Sequence, residues 1–256
     1  MPIVPLNGID LYYESHGEGP VVTFLHGAGG NHISWWQQVP VFSQRYRCIT
    51  IDHRGFGRST DPEQLGSGRY IEDLEALLDH LEVSRTALVA QSMGGLAALG
   101  YAVRHPDRVA ALVMADNWGW FDDAEIRAQW NALRIERTED PPAPGGTGRR
   151  YRTEHPRGVF LYQQIGALNP PRDAATPFLA GGGVTRSDVA ALRVPTLWLV
   201  GAEDPTVPPE VIRTMHALTP GSEYVEVPAC GHSVYFEDAA AFNAHVGAFL
   251  ERHTSA

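Results

Sequence analysis

The chain has 256 residues, of which 43% are hydrophobic, 20% are charged and 26 are glycine. That is the composition of an ordinary globular domain, long enough to bury roughly 70–75% of its unfolded surface without disulfide or metal staples. A formal charge of −10 repels phosphate backbones and anionic lipid, so neither nucleic acid nor a membrane is expected as partner. All 20 basic residues are arginine, which excludes lysine Schiff-base enzymes, the usual pyridoxal-phosphate enzymes and phosphate-loop nucleotide binding.

In chain order, β-rich runs at 9–15 and 21–25 come first, followed by the glycine-rich His26-Gly27-Ala28-Gly29-Gly30 and a helix expected over 31–42. A third strand at 46–51 runs into Asp52-His53-Arg54-Gly55-Phe56-Gly57-Arg58-Ser59, where Asp52 and Arg54 can tie down a tight turn by charge-assisted hydrogen bonds. Tyr70, Leu74, Leu77, Leu78 and Leu81 form one apolar helical stripe. The strand at 86–90 leads straight into Ala90-Gln91-Ser92-Met93-Gly94-Gly95, and a second stripe through Leu96, Leu99 and Val103 begins at once.

A strand at 109–115 is followed by about 70 residues, 117–186, of weak periodicity, read as an insertion of a few short helices with a mobile stretch near 140–150. Strands at 195–200 and 223–227 and a final stripe, Phe242, Val246, Phe249 and Leu250, close the chain. Five of the seven strands are nearly continuous apolar runs, as expected when a sheet is covered on both faces. The alternation predicts an α/β fold, a mostly parallel twisted sheet of about eight strands with helices on both faces. Its core comprises 1–116 and 187–256.

Cys48 and Cys230 are too few for a disulfide framework and lack metal-ligand spacing, so no metal and no cofactor is expected. No apolar run approaches the roughly 18 residues of a membrane span, and residues 1–5 carry no secretion pattern. The expectation is a cytoplasmic monomer or homodimer.

Ser92 sits where a buried strand turns sharply into a helix. Such a turn needs small neighbours, here Ala90 and Gly94, and holds the hydroxyl in the open on strained backbone. The Met93 N–H then lies at a helix N-terminus, where it favours an oxyanion. The pattern alone also fits a serine that merely caps the helix, and it has Ala90 where a glycine is usual. A serine hydroxyl is a poor nucleophile without a general base, and that base needs an orienting partner. The 11 histidines supply candidates.

Taken together, these segments resemble the α/β-hydrolase superfamily, in its serine-nucleophile, esterase- and lactonase-like branch, over nearly the whole chain. The resemblance implies that His26-Gly27-Ala28 is the oxyanion loop, so Ala28 and Met93 would donate the two N–H groups; a plain glycine turn is the alternative. It makes His232, in Cys230-Gly231-His232-Ser233, the base, with His26 holding the loop. It puts the acid at Asp204 in Gly201-Ala202-Glu203-Asp204, with Glu203 pointing elsewhere. Asp116 is the competing acid, because some branches carry it after the preceding strand. The order Ser92, Asp204, His232 matches this fold.

By the same resemblance, 117–186 is a helical lid over the serine. Its aromatics, Trp118 and Trp120 among them, and Trp35 beside the oxyanion loop would line a pocket for a hydrophobic substrate; packing of the lid onto the core is the alternative use of these rings. Arg149, Arg150, Arg152 and Arg157 could attract a substrate carboxylate or form a solvated face. The implied activity is hydrolysis of a small to medium hydrophobic ester or lactone through an acyl-enzyme. Alternatives with the same side chains are C–C bond hydrolysis of a vinylogous diketone and perhydrolysis, and, outside enzymes, a ligand receptor on a hydrolase scaffold.

Overall fold

A computed structural model describes residues 2–137, 146–179 and 182–254. Among these the strands are β1 (Ile3–Leu6), β2 (Ile9–His16), β3 (Val21–Leu25), β4 (Arg47–Ile51), β5 (Thr86–Gln91), β6 (Val109–Ala115), β7 (Thr196–Gly201) and β8 (Glu223–Val227). They form one eight-stranded sheet in the order β1-β2-β4-β3-β5-β6-β7-β8. The pairs β1/β2 and β2/β4 are antiparallel and all later pairs are parallel. Every residue of β5 and β6 is buried, which is why these strands read as unbroken apolar runs.

The helices are α1 (Val39–Phe42), α2 (Tyr70–His80), α3 (Gly94–Arg104), α4 (Ala124–Arg137), α5 (Arg149–Glu154), α6 (Pro156–Ala167), α7 (Arg186–Ala191), α8 (Pro209–Leu218), α9 (Val234–Glu237) and α10 (Ala239–Thr254). Helices α2, α3 and α8 feed one hydrophobic core, and α1, α9 and α10 feed a second. Alternate residues of β5 point into each: Leu88 and Ala90 into the first, Ala87 and Val89 into the second. The sheet is therefore covered on both faces. No described helix is long and apolar enough to cross a membrane.

Strand β3 pairs with β4 on one side and with β5 on the other, so the strand order reverses there. Crevices at such a reversal, outside the carboxyl ends of the strands, are where ligands bind in open α/β sheets. The loops that leave β3 and β5 begin with His26 and Ser92.

Three local readings change. Strand β1 was not expected; too short to show a period, it exists by pairing with β2 from Ile3 opposite Tyr12 to Leu6 opposite Ile9. The helix expected over 31–42 is a 3-10 turn, His32–Trp35, and the single-turn α1, whose Pro40 lies in its first two positions. A proline lacks the N–H that a helix interior needs, so a continuous helix cannot run through it. Helix α8, which starts at Pro209 with Pro208 as its N-cap, was also not anticipated.

Between β6 and β7 the described chain forms α4 to α7. Of the stretch expected to be mobile, 140–145 lies outside the described residues. Its other end is tied down: Gly146 O accepts from His232 N at 2.9 Å, and α5 begins at Arg149.

Candidate active site

Ser92 occupies the turn between β5 and α3 with φ +47°, a region that costs a non-glycine residue free energy and persists only where its surroundings impose it. Here Ser92 N donates to Ala115 O at 3.0 Å, and Trp120 Nε1 donates to Ser92 O at 3.0 Å. A Cβ on Gly94 would stand 2.3 Å from Leu25 O, so the helix can start this close to β3 only with glycine there.

Ser92 Oγ donates to His232 Nε2 at 2.8 Å, and His232 Nδ1 donates to Asp204 Oδ2 at 2.8 Å. A carboxylate only accepts, so Asp204 requires the Nδ1–H tautomer and leaves Nε2 free to accept the serine proton. The other carboxylate oxygen, Asp204 Oδ1, accepts from Thr206 N at 2.7 Å and Val207 N at 2.8 Å. These bonds fix the carboxylate on the turn after β7. Burial disfavours the charged imidazolium, but the Asp204 carboxylate outweighs it and raises His232 above its ordinary pKa, with Asp116 and Glu237 adding to the effect. Glu203 is exposed.

Asp116, the competing acid, does not bond the imidazole. Its Oδ1 accepts from Gly201 N at 3.1 Å and its Oδ2 from Val234 N at 3.3 Å, so it ties the turn bearing Asp204 to the start of α9. Burial, helped by the nearby Asp204 charge, pushes its carboxyl well above the usual range.

The His26-Gly27-Ala28 loop lies against the serine turn: a Cβ on Gly27 would stand 2.9 Å from Ser92 Cβ. His26 holds this loop from both ring nitrogens. Nδ1 donates to Gly27 O at 2.7 Å and Nε2 accepts from His53 N at 3.0 Å, and burial lowers its pKa, so it stays neutral and structural. Among the described residues no hydrogen bond is made by the N–H of Ala28 or of Met93. Two unspent donors therefore flank the serine, one on each loop.

Asp52 closes its own loop, accepting from Arg58 N at 2.8 Å and His32 N at 2.6 Å. Arg54 pairs with Asp61 further along the same loop at 3.4 Å and also reaches α2, where Nε and Nη2 bond Asp73 at 2.6 and 2.7 Å.

Two of the three pocket expectations are corrected. Trp35 is fully buried, with ring centroids 5.1 Å from Phe24 and 4.9 Å from Tyr235. Trp118 is fully buried against Trp120, Phe121 and Trp130. Both are core residues, because large rings are buried first by packing and a composition does not tell a core from a cavity. Trp120 braces the nucleophile turn through the bond already given. Of the arginine cluster, Arg150 pairs with Glu154 at 3.0 Å and Arg152 donates to Thr147 O. Both cysteines are buried and free, and burial pushes their thiols up to about 12. Among the described residues no group of three or more His, Cys, Asp or Glu side chains could hold a metal ion.

Sequence reasoning missed the residues that fasten this arrangement. Gln91 Nε2 donates to His232 O at 2.7 Å. Tyr162 of α6 receives a hydrogen bond from Ser233 Oγ at 3.1 Å. Glu237 accepts from Gly148, Gly231 and Ser233. Gln91 carried a signal in standing beside the candidate nucleophile; the other two carried none.

The profile of the alpha/beta hydrolase fold family matches residues 20–137 and 130–239. An esterase from Thermogutta terrifontis superimposes with a TM-score of 0.83 at 26% identity, covering 99% of this chain and 97% of its own. Est816, described as an N-acyl homoserine lactone degrading enzyme, gives 0.81 at 28% identity, with 97% and 100% covered. A Caulobacter protein (strain K31) provisionally named carbamate hydrolase RutD is 30% identical over 267 residues, which cover 94% of this chain and 95% of that protein.

Proposed function

Given that this chain belongs to the alpha/beta hydrolase fold family and is a hydrolase, we propose that it is a serine hydrolase that cleaves a carboxylic ester or lactone of a small to medium hydrophobic substrate. The observation that carries this reading is the pair of 2.8 Å hydrogen bonds running in series from Ser92 Oγ through His232 to Asp204. Ser92 Oγ attacks the acyl carbon while His232 Nε2 takes its proton. Asp204 holds the ring in the correct tautomer and offsets the imidazolium charge without taking the proton itself. The negative charge that develops on the carbonyl oxygen is met by the N–H groups of Ala28 and Met93. The imidazolium then protonates the departing alkoxide, and a water activated by the same base releases the acid and restores Ser92. With a lactone, the departing alcohol stays on the acyl chain.

Residues 117–186 act in this proposal as a lid, supported by the contacts that α6 and residues 146–148 make around His232 and Ser233. A cytoplasmic setting, a small-molecule ester or lactone as partner and a monomeric or homodimeric state belong to the same reading; the charge of −10 disfavours phosphate-rich partners. The relative named for carbamate hydrolysis supports including carbamates, whose acyl carbon needs the same attack. A panel of p-nitrophenyl esters, lactones, carbamates and a vinylogous diketone, with and without hydrogen peroxide, tests the proposal. Esters or lactones are expected to turn over fastest, and Ser92→Ala to lower their kcat by about 10⁴–10⁶. Ester turnover unchanged in Ser92→Ala contradicts it.

A further inference from the structure

The three consecutive N–H groups at 231, 232 and 233 are all spoken for, and none bonds within its own loop. Gly231 N donates to Glu237 Oε2 at 2.9 Å, His232 N donates to Gly146 O at 2.9 Å, and Ser233 N donates to Glu237 Oε1 at 3.2 Å. Glu237 ends α9, and its Oε2 takes a further bond, from Gly148 N at 2.8 Å. One carboxylate therefore grips the histidine loop on both sides of residue 232 and at the same time grips the segment between β6 and β7. The carbonyl of Gly146 completes the clasp from that segment. Bonds from backbone N–H to a carboxylate are about twice as strong as neutral ones, and such bonds set the orientation of the group they flank.

We propose that Glu237 is a positioning residue for His232: through Gly231 and Ser233 it fixes the backbone that presents the imidazole to Ser92, and through Gly148 it makes that placement depend on the lid being docked. The inference rests on the assignment of His232 as base. The groups that face the two side chains are consistent with it. The carboxyl groups acting on the imidazole are Asp204 from the turn after β7, Asp116 from the end of β6 and Glu237 itself. Around Glu237, burial raises the carboxyl and Asp204 adds to the rise, against the pull of the three N–H groups. Tyr151 and Tyr162, both facing Glu237, have their hydroxyls raised by burial and stay neutral.

Glu237→Gln keeps the shape but removes the charge and one acceptor. In this variant the His232 imidazole, followed by NMR as the resonance absent from His232→Gln, is expected to titrate lower than in the wild type. Ester kcat should fall about 10–100-fold with little change in Tm, as expected when a reacting group is displaced by less than about 1 Å. Glu237→Asp keeps the charge on a shorter arm, so its imidazole should titrate near the wild-type value while kcat still falls. Wild-type kcat in either variant overturns the proposal. So does a loss of kcat in Glu237→Gln with an unmoved titration, which would make Glu237 a residue of folding alone. If Glu237→Gln does not fold, Glu237→Asp decides on kcat and titration together. Should the wild type show no ester turnover at all, the hydrolase reading fails, while the imidazole titration still decides whether Glu237 acts on His232.

Discussion

Asp204 and Asp73 are both buried carboxylates, 0% and 2% exposed, and each bonds a basic side chain. Asp204 holds His232 Nδ1 at 2.8 Å, and Asp73 holds Arg54 Nε and Nη2 at 2.6 and 2.7 Å. The difference lies in the partner. A guanidinium keeps its proton at any accessible pH and fills both carboxylate oxygens, so the Arg54–Asp73 pair is a permanent bolt between the loop after β4 and α2. An imidazole gains and loses a proton near neutral pH, and His232 has its far nitrogen on a serine. Burial and distance are nearly the same in the two places. Chemistry follows from which partner can let its proton go and from what lies on the partner's other side.

The sharpest way to separate the two regions is to neutralise each carboxylate. Asp204→Asn should leave the fold intact and lower kcat by about 10⁴, because the amide no longer demands the Nδ1–H tautomer. Asp73→Ala should do the opposite. It removes the shorter of the two carboxylate contacts of a buried guanidinium, leaving Asp61 at 3.4 Å, and should cost about 3 kcal/mol of stability by chemical denaturation, the low end for a broken buried pair, with kcat per folded molecule within about tenfold of wild type. Equal effects of the two substitutions on turnover would erase the distinction.

The two regions also differ in what sequence alone reveals. Ser92 stands at a strand-to-helix turn that local pattern marks, whereas Asp204 and His232, each in a short turn at a strand end, were singled out by the resemblance to the α/β-hydrolase superfamily, whose order along the chain they match. The structure brings them into one line of hydrogen bonds. The Arg54–Asp73 pair was not legible: Arg54 was expected to serve its own loop, which it does through Asp61, but its second partner sits on a helix whose apolar stripe says nothing of a buried charge. Gln91, Tyr162 and Glu237 escaped for a related reason. They bond groups on other segments, up to 141 residues away, and no local spacing encodes such a contact. Trp35 and Trp118 show the converse error: aromatic content announces burial without saying what is buried against the ring. The α/β alternation was readable because β5 and β6 are buried at every position, whereas β1, at the edge, is half exposed and left no pattern.

A smaller effect tests the electrostatics of the working pair. Because His232 is raised above its ordinary value near 6.5, and only the neutral imidazole can accept the serine proton, kcat/KM should fall as pH drops through a value above 6.5 and level off on the alkaline side. Removing the Asp204 charge should move that limb toward lower pH in the residual activity of Asp204→Asn. An acid limb that does not move would mean that Asp204 does not set the charge on the ring.

The most direct measurement is to treat the folded protein with a fluorophosphonate and locate the adduct by mass spectrometry. A single phosphonyl group on Ser92, formed in the wild type and absent from protein in which His232 is replaced by glutamine, is the predicted result. An adduct on another residue, or none on Ser92 while esters are still hydrolysed, contradicts the account.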